Sequence, residues 1–243
     1  MAIPLVLLPG ALGFLEGSDA VGDRLGEDRR VVAIEYAAAD RFEPLLARIL
    51  AAAAAPRFDL LGMSYGGWIA QCVAARHPES VRRLVLAHSF ALEPRHAWRF
   101  RLGQRLLAGF PKGLLRPLLL ARVRRALAPV RARDPALFGR QLAALRRELE
   151  SGRLFDILLA QQICMAESLD SPAAAPAPPA GLPVLIVDSD DDPLLPASER
   201  KGLRDKFPNA AAHCFVGAGH VSALVETERF AALVNGFLDA PDP

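Results

Sequence analysis

One hexapeptide limits the architectures open to this chain. Gly62-Met63-Ser64-Tyr65-Gly66-Gly67 stands between an apolar run, Phe58 to Gly62, and an apolar-faced stretch, Tyr65 to Arg76, that stops before Pro78. The run reads as a buried strand and the stretch as a helix. A serine at the tip of so sharp a strand-to-helix turn takes a strained backbone, and the small residues two before and two after it, Gly62 and Gly66, let the chain fold that tightly. The turn lifts the hydroxyl clear of the backbone. The helix starting beside it aims N–H groups and its positive dipole end at any oxyanion formed there. Ser64 is therefore the candidate nucleophile, and the Tyr65 N–H is the first candidate oxyanion donor.

The rest of the chain alternates in the same way. Pro4 to Leu8, Arg30 to Tyr36, Arg83 to Ala87, Leu182 to Val187 and, more weakly, Ala211 to Val216 read as strands. Phe42 to Ala55 and Ala223 to Leu238 read as helices. Strands that are apolar almost throughout are buried on both faces, so the pattern predicts an α/β fold: a mostly parallel sheet with helices on both faces. From Phe90 the strand signal disappears for roughly 90 residues and an Arg-rich helical pattern replaces it, broken at Pro111, Pro117, Pro129 and Pro135. This predicts a helical cap inserted over 91–171, a Pro/Ala-rich linker over 172–183 with Pro176, Pro178 and Pro179, and a core formed by 1–90 and 181–243.

Composition narrows the function. With 243 residues, 52% hydrophobic and 23% charged, the chain is large enough for one sizeable core and too apolar for disorder. A net charge of +2 speaks against nucleic-acid binding. The total hides a split: residues 91–153 hold 15 basic residues against four acidic ones, a net of +11, which leaves −9 for the remainder. Such a basic segment can pack on an acidic body or attract an acidic partner. Cys72, Cys164 and Cys214 are odd in number and far apart, so neither a disulfide framework nor a zinc site is expected, and a reducing cytoplasm fits. The first residues lack a basic segment ahead of their short apolar run, and no later stretch is long and apolar enough for a membrane span, so an untargeted, cytoplasmic protein is expected.

A serine turn in this setting resembles the α/β-hydrolase fold family, and the resemblance extends over nearly the whole chain: a serine-nucleophile esterase or thioesterase with a helical cap. It implies the chain order serine, acid, histidine. It also implies a second oxyanion donor from the loop after the first strand, Leu7 to Gly13. Many members have His-Gly there, whereas this chain has Pro9-Gly10; the Ala11 N–H is the first choice and Leu12 the alternative. Of five histidines, His220 in Gly217-Ala218-Gly219-His220 follows the last strand, where the resemblance puts the catalytic base. The acid must hold that imidazole in one tautomer, so it should hang from a neighbouring strand end. Asp188, Asp190, Asp191 and Asp192 all follow Leu182 to Val187. The family pattern Gly-x-x-Asp-x-x-x-Pro maps onto Ser189, Asp192 and Pro196, which puts Asp192 first and Asp191 second. The four carboxylates lack the glycine turn and closing glutamate of a calcium loop, and Pro193 interrupts them, so no metal is expected.

Among the other histidines, His77, His96 and His213 read as surface or packing residues, while His88 follows a strand end, where open α/β sheets bind ligands. Leu12, His88, Trp98 and Val221 are the pocket candidates; Phe100, Phe110, Phe138 and Phe155 add aromatic surface to the cap. A serine nucleophile with an oxyanion hole suits acyl transfer without a cofactor. Esters and thioesters are the expected substrates: a small-molecule acyl substrate with an apolar acyl chain. C–C bond hydrolysis, cofactor-free cyclisation or lyase chemistry, low-turnover ligand binding and a scaffold presenting its basic cap to a membrane or acidic protein are the alternatives. Should the acyl group arrive on a carrier protein or coenzyme A, Arg122, Arg124 and Arg125 would steer it.

Overall fold

The computed structural model of the protein describes residues 3–13, 18–27, 29–91, 93–170, 179 and 181–241. Among these, six strands form one sheet: β1 (Leu5–Leu8), β2 (Val31–Ala33), β3 (Phe58–Met63), β4 (Val81–Ala87), β5 (Val184–Ser189) and β6 (Ala211–Phe215). Their order is β2-β1-β3-β4-β5-β6, and every neighbouring pair is parallel. The connections after β1, β2 and β3 carry α1 (Ser18–Leu25), α2 (Phe42–Ala53) and α3 (Tyr65–Arg76). Between β4 and β5 the chain makes a 3₁₀ turn, Pro94–His96, and then α4 (Ala97–Gly109), α5 (Lys112–Ala126), α6 (Ala128–Arg133), α7 (Pro135–Ser151) and α8 (Arg153–Asp170). α9 (Ala197–Lys206) joins β5 to β6, and α10 (Ser222–Val225) and α11 (Thr227–Leu238) follow.

Side-chain alternation along the strands sorts the core into two layers. Val6, Leu8 and Leu60 pack with Leu45 and Ile49 of α2 and Trp68 of α3. Leu5, Leu7 and Leu61 pack with Leu25 of α1 and Phe230 and Val234 of α11. Burial on both faces accounts for the near-continuous apolar strands. The helices between β4 and β5 have a core of their own, built on Leu127, Leu142, Leu145, Leu154 and Phe155. α8 ties that insertion to the sheet. Its Cys164, Met165 and Ala166 join the layer around Trp68, whose indole N–H donates to Ser168 Oγ at 2.9 Å, and its Glu167 caps α2 by accepting the Phe42 N–H at 2.9 Å.

Several sequence expectations change. β2 covers three residues instead of the seven from Arg30 to Tyr36, because the chain leaves the edge of the sheet after Ala33. The terminal helix is two helices: Glu226 between them leaves the helical conformation at φ −127° and ψ 45°, and Thr227 Oγ1 donates to the Ala223 carbonyl at 2.9 Å, a local bond that competes with helix continuation. Pro117, expected to break the helical pattern, lies inside α5, whereas Pro111, Pro129 and Pro135 stand at helix starts, where a missing N–H costs little. α1 and α9 were not expected. Gly22 interrupts the first, and the second buries only Leu203 fully, so neither has a clear apolar period. Most of the expected linker, residues 172–178 and 180, lies outside the described residues, as does residue 171 at the end of the expected cap. No helix of the described residues is long and apolar enough to cross a membrane.

Candidate active site

Because β3, β4, β5 and β6 are adjacent and parallel, their carboxyl ends share one edge of the sheet, and each supplies one polar side chain there: Ser64, His88, Asp192 and His220. Ser64 follows β3 directly and has φ 51° and ψ −114°, a left-handed-side backbone unusual for a residue with a Cβ. The turn needs glycine on both sides for reasons of space. A Cβ on Gly62 would lie 2.5 Å from the Gly66 carbonyl oxygen, and one on Gly66 would lie 2.1 Å from the Leu8 carbonyl oxygen.

Ser64 Oγ is 3.0 Å from His220 Nε2, and His220 Nδ1 is 2.8 Å from Asp192 Oδ2. Asp192 Oδ1 accepts the N–H groups of Leu194 at 2.8 Å and Leu195 at 3.0 Å, which fixes the carboxylate plane. The other three aspartates have separate duties. Asp188 pairs with Arg204 at 2.7 Å, while Asp190 and Asp191 accept the N–H groups of Gly217 at 2.9 Å and Gly219 at 2.8 Å. Those two glycines have φ 66° and 60°, so Asp190 and Asp191 hold the tight turn that presents His220. Asp191, second choice from the sequence, thus meets the backbone instead of the imidazole.

A second histidine joins the chain. His88 Nδ1 lies 3.1 Å from the same Asp192 Oδ2, and its Nε2 lies 2.7 Å from Ser222 Oγ and 3.3 Å from the Ser222 N–H. The backbone N–H can only donate, so Nε2 accepts and the proton of a neutral His88 sits on Nδ1, facing Asp192. Burial holds the His88 imidazole below its ordinary pKa, against the opposing pull of the Asp192 hydrogen bond. Burial alone would raise the Asp192 carboxyl, but the hydrogen bonds from His220 and His88 outweigh it and hold it well below the usual carboxylate range. Sequence reading placed His88 at the pocket and missed both this bond and Ser222; a histidine at the end of a central strand was the only signal.

The loop after β1 passes beside Ser64: a Cβ on Gly10 would be 3.5 Å from Ser64 Cβ. Two of its carbonyls are anchored, Pro9 by the Tyr36 hydroxyl at 2.9 Å and Ala11 by the Gln161 amide of α8 at 3.2 Å. Tyr65 is the first residue of α3, so its N–H has no acceptor within the helix. Ser64 and His220 open into a cavity of about 280 Å³ between the sheet edge and the inserted helices. Its walls are almost wholly apolar, with Met63, Leu119, Val123, Leu145 and Leu158 prominent and Arg122 the one guanidinium. Leu12, His88 and Val221 line it. Trp98 does not: it is 65% exposed on the outside of α4, because that helix turns its other side toward α8. Among the described residues one group of potential metal donors, His88, Asp192 and His220, lies within 4.8 Å of one another. These are the atoms that make the hydrogen-bonded chain, and the facing Nδ1 of His88 is a donor to the carboxylate, so the set fits a proton relay better than a cation.

Residues 4–227 match the alpha/beta hydrolase fold family. The chain belongs to this family. An alpha/beta hydrolase enzyme from a Medee basin deep-sea metagenome library has the same fold, with a TM-score of 0.74 at 21% identity over 100% of this chain and 91% of that one. In sequence this hydrolase is similar to 2-hydroxymuconate semialdehyde hydrolase of Pseudomonas putida, 31% identical over 188 residues, which are 76% of this chain and 63% of that protein. The chain thus matches less than two thirds of that relative's length. It is also similar to pimeloyl-[acyl-carrier protein] methyl ester esterase of Neisseria meningitidis serogroup B (strain ATCC BAA-335 / MC58), 31% identical over 192 residues, 74% of this chain and 69% of that protein.

Proposed function

We propose that this hydrolase cleaves an ester or thioester through an acyl-enzyme, with Ser64 as nucleophile, His220 as base and Asp192 as the orienting acid. The observation that carries the reading is the unbroken series of hydrogen bonds from Ser64 Oγ through His220 to Asp192, 3.0 and 2.8 Å long, at the wall of an apolar cavity. Ser64 Oγ attacks the carbonyl carbon while its proton passes to His220 Nε2, and the carbonyl oxygen takes the negative charge beside the N–H groups of Tyr65 and Ala11. Collapse expels the alcohol or thiol, which takes the proton back from His220. Water, deprotonated by the same imidazole, then attacks the acyl carbon and frees the acid and Ser64. Asp192 stays ionised throughout and balances the transient imidazolium.

In this reading α4 to α8 are a cap, and the apolar wall they contribute favours a small aliphatic or aryl acyl group. The similarity to an esterase acting on an acyl-carrier-protein ester supports a leaving group or carrier that is acidic, met by Arg122, Arg124 and Arg125. A second reading, hydrolysis of a C–C bond next to a carbonyl, rests on the similarity to 2-hydroxymuconate semialdehyde hydrolase and uses the same residues. A panel of p-nitrophenyl esters of rising chain length, matched acyl thioesters and a vinylogous diketone separates them. Turnover of the esters or thioesters well above that of the diketone supports the first reading; turnover of the diketone alone sinks it.

A further inference from the structure

The outer surface of the inserted helices bears a row of apolar side chains that the chemistry at Ser64 does not use. Trp98, Leu102 and Leu106 on α4, Phe110 at its end and Leu114 and Leu118 on α5 recur at every fourth position, and their exposures run from 39% for Leu106 to 66% for Leu118. Spacing of four keeps successive side chains of one helix on one face. Among the described residues the only other large hydrophobic exposed to this degree is Val216, so the exposure is concentrated here. Exposed apolar side chains that recur in this way along two successive helices mark a contact surface.

The charge around the row is of one sign. From Pro94 to Arg133 the chain has eleven arginines and lysines and no aspartate or glutamate. Arg99, Arg101 and Lys112 find their acidic partners outside that stretch, in Glu199, Asp170 and Asp156. Arg105, Arg122, Arg124 and Arg125 make no ion pair among the described residues.

We propose that the α4–α5 face docks on an anionic phospholipid surface. A row of separately protruding Trp, Phe and Leu side chains suits a fluid interface, which takes each one at the boundary of headgroups and acyl chains without a matching shape. The arginines between them lay their stems along the apolar row and carry their guanidinium groups to the lipid phosphates. A folded protein partner would need a complementary surface, and none of the six side chains lines the cavity that could receive one of its residues. An adjoining side of α5 gives the docking a use: Leu119, Arg122, Val123 and Ala126 line the active-site cavity, so one helix borders both the site and the docked surface. The docking itself does not depend on the chemistry assigned to Ser64.

The chain has two tryptophans, and only Trp98 is exposed, at 65% against 0% for Trp68, so Trp98 reports directly on contact. The full chain is mixed with vesicles of phosphatidylcholine containing phosphatidylglycerol and, separately, with phosphatidylcholine alone, and followed by tryptophan emission and flotation. The expected result is a blue shift and co-flotation with the anionic vesicles only, weakened by salt and with the shift lost in Trp98→Phe. A double variant, Leu114→Glu with Leu118→Glu, should lose about tenfold in partitioning or more while keeping its melting temperature, since both positions are exposed. Equal binding to neutral vesicles, no flotation, or binding that survives the double variant would overturn the proposal. So would a blue shift without lipid, accompanied by a doubled mass in sedimentation equilibrium, which would assign the face to a second copy of the chain.

Discussion

His88 Nδ1 lies 3.1 Å from Asp192 Oδ2, so the oxygen that meets His220 meets a second imidazole too. The extra donor adds a second hydrogen bond to that oxygen and favours its ionised form. Under the proposed mechanism His88 would act through Asp192 as a positioning residue. His88→Asn preserves an N–H near the Nδ1 position and tolerates the left-handed backbone found there, φ 48°. It should stay within about threefold of the parent kcat, whereas His88→Phe should lose about tenfold or more in kcat with KM little changed. Equal rates in both variants would remove His88 from the relay.

The same residue sets a pH dependence of stability. Burial lowers the folded pKa of His88 below its unfolded value of 6.5, so between the two the unfolded chain holds more protons. Its contribution is complete above pH 6.5 and is lost as the pH falls toward the folded value; buried His96, lowered chiefly by desolvation, acts with the same sign. Asp192, whose folded pKa is depressed below 3.8, contributes above that pH and loses its share only in stronger acid. Melting temperatures should therefore drop between pH 7 and pH 5, and the drop should shrink in His88→Asn.

Ser64→Ala should lower kcat on any ester by at least about three orders of magnitude with the fold intact, because no other hydroxyl is in reach of His220 Nε2 among the described residues. Intact mass after a fluorophosphonate should show one adduct in the parent chain and none in the variant. Near-normal turnover by the alanine variant would dismiss the acyl-enzyme.

The four aspartates should separate by duty. Asp192→Asn should cost at least about a hundredfold in kcat, since the amide cannot stabilise the imidazolium. Asp190→Asn and Asp191→Asn keep an oxygen for the glycine N–H groups they hold and should lose much less, and Asp188→Asn should act on stability through Arg204. Similar rates for all four variants would place the acid elsewhere.

Leu158 lines the cavity from α8 without being fully buried in the cap core. Leu158→Trp should shrink the space for the acyl group and lower kcat/KM on long-chain p-nitrophenyl esters by about tenfold relative to acetate. An unchanged chain-length profile would move the acyl group out of this cavity.

Most of this architecture could be read from the sequence because its physical signals are local. An apolar strand, two glycines and a helix marked Ser64; the family resemblance carried by that turn pointed to His220 and, through the pattern over Ser189, Asp192 and Pro196, put Asp192 before Asp191 among the four aspartates. What could not be read is what depends on partners far apart in the chain. Ser222 meets His88 across 134 positions, and nothing near either residue announces it. Trp98 failed for a related reason: an aromatic residue on a helix that is basic and apolar on several sides gives no hint of which side faces the cavity. α9 escaped because it is almost wholly solvated and has no apolar stripe to betray it.

The insertion of α4 to α8 leaves from β4 and returns to β5, and these strands are hydrogen-bonded neighbours in which Ala87 pairs with Val187. Because the two strands are parallel, the insertion leaves from the carboxyl edge of the sheet after Ala87 and returns at the opposite edge, where Val184 begins β5 beside Leu84. A crossover between neighbouring strands can lengthen, shorten or be exchanged while the strand pairing stays the same, and Ser64, Asp192 and His220 all lie outside it. Under the proposed function, changes in the inserted helices would alter what enters the cavity while Ser64, His220 and Asp192 keep their spacing.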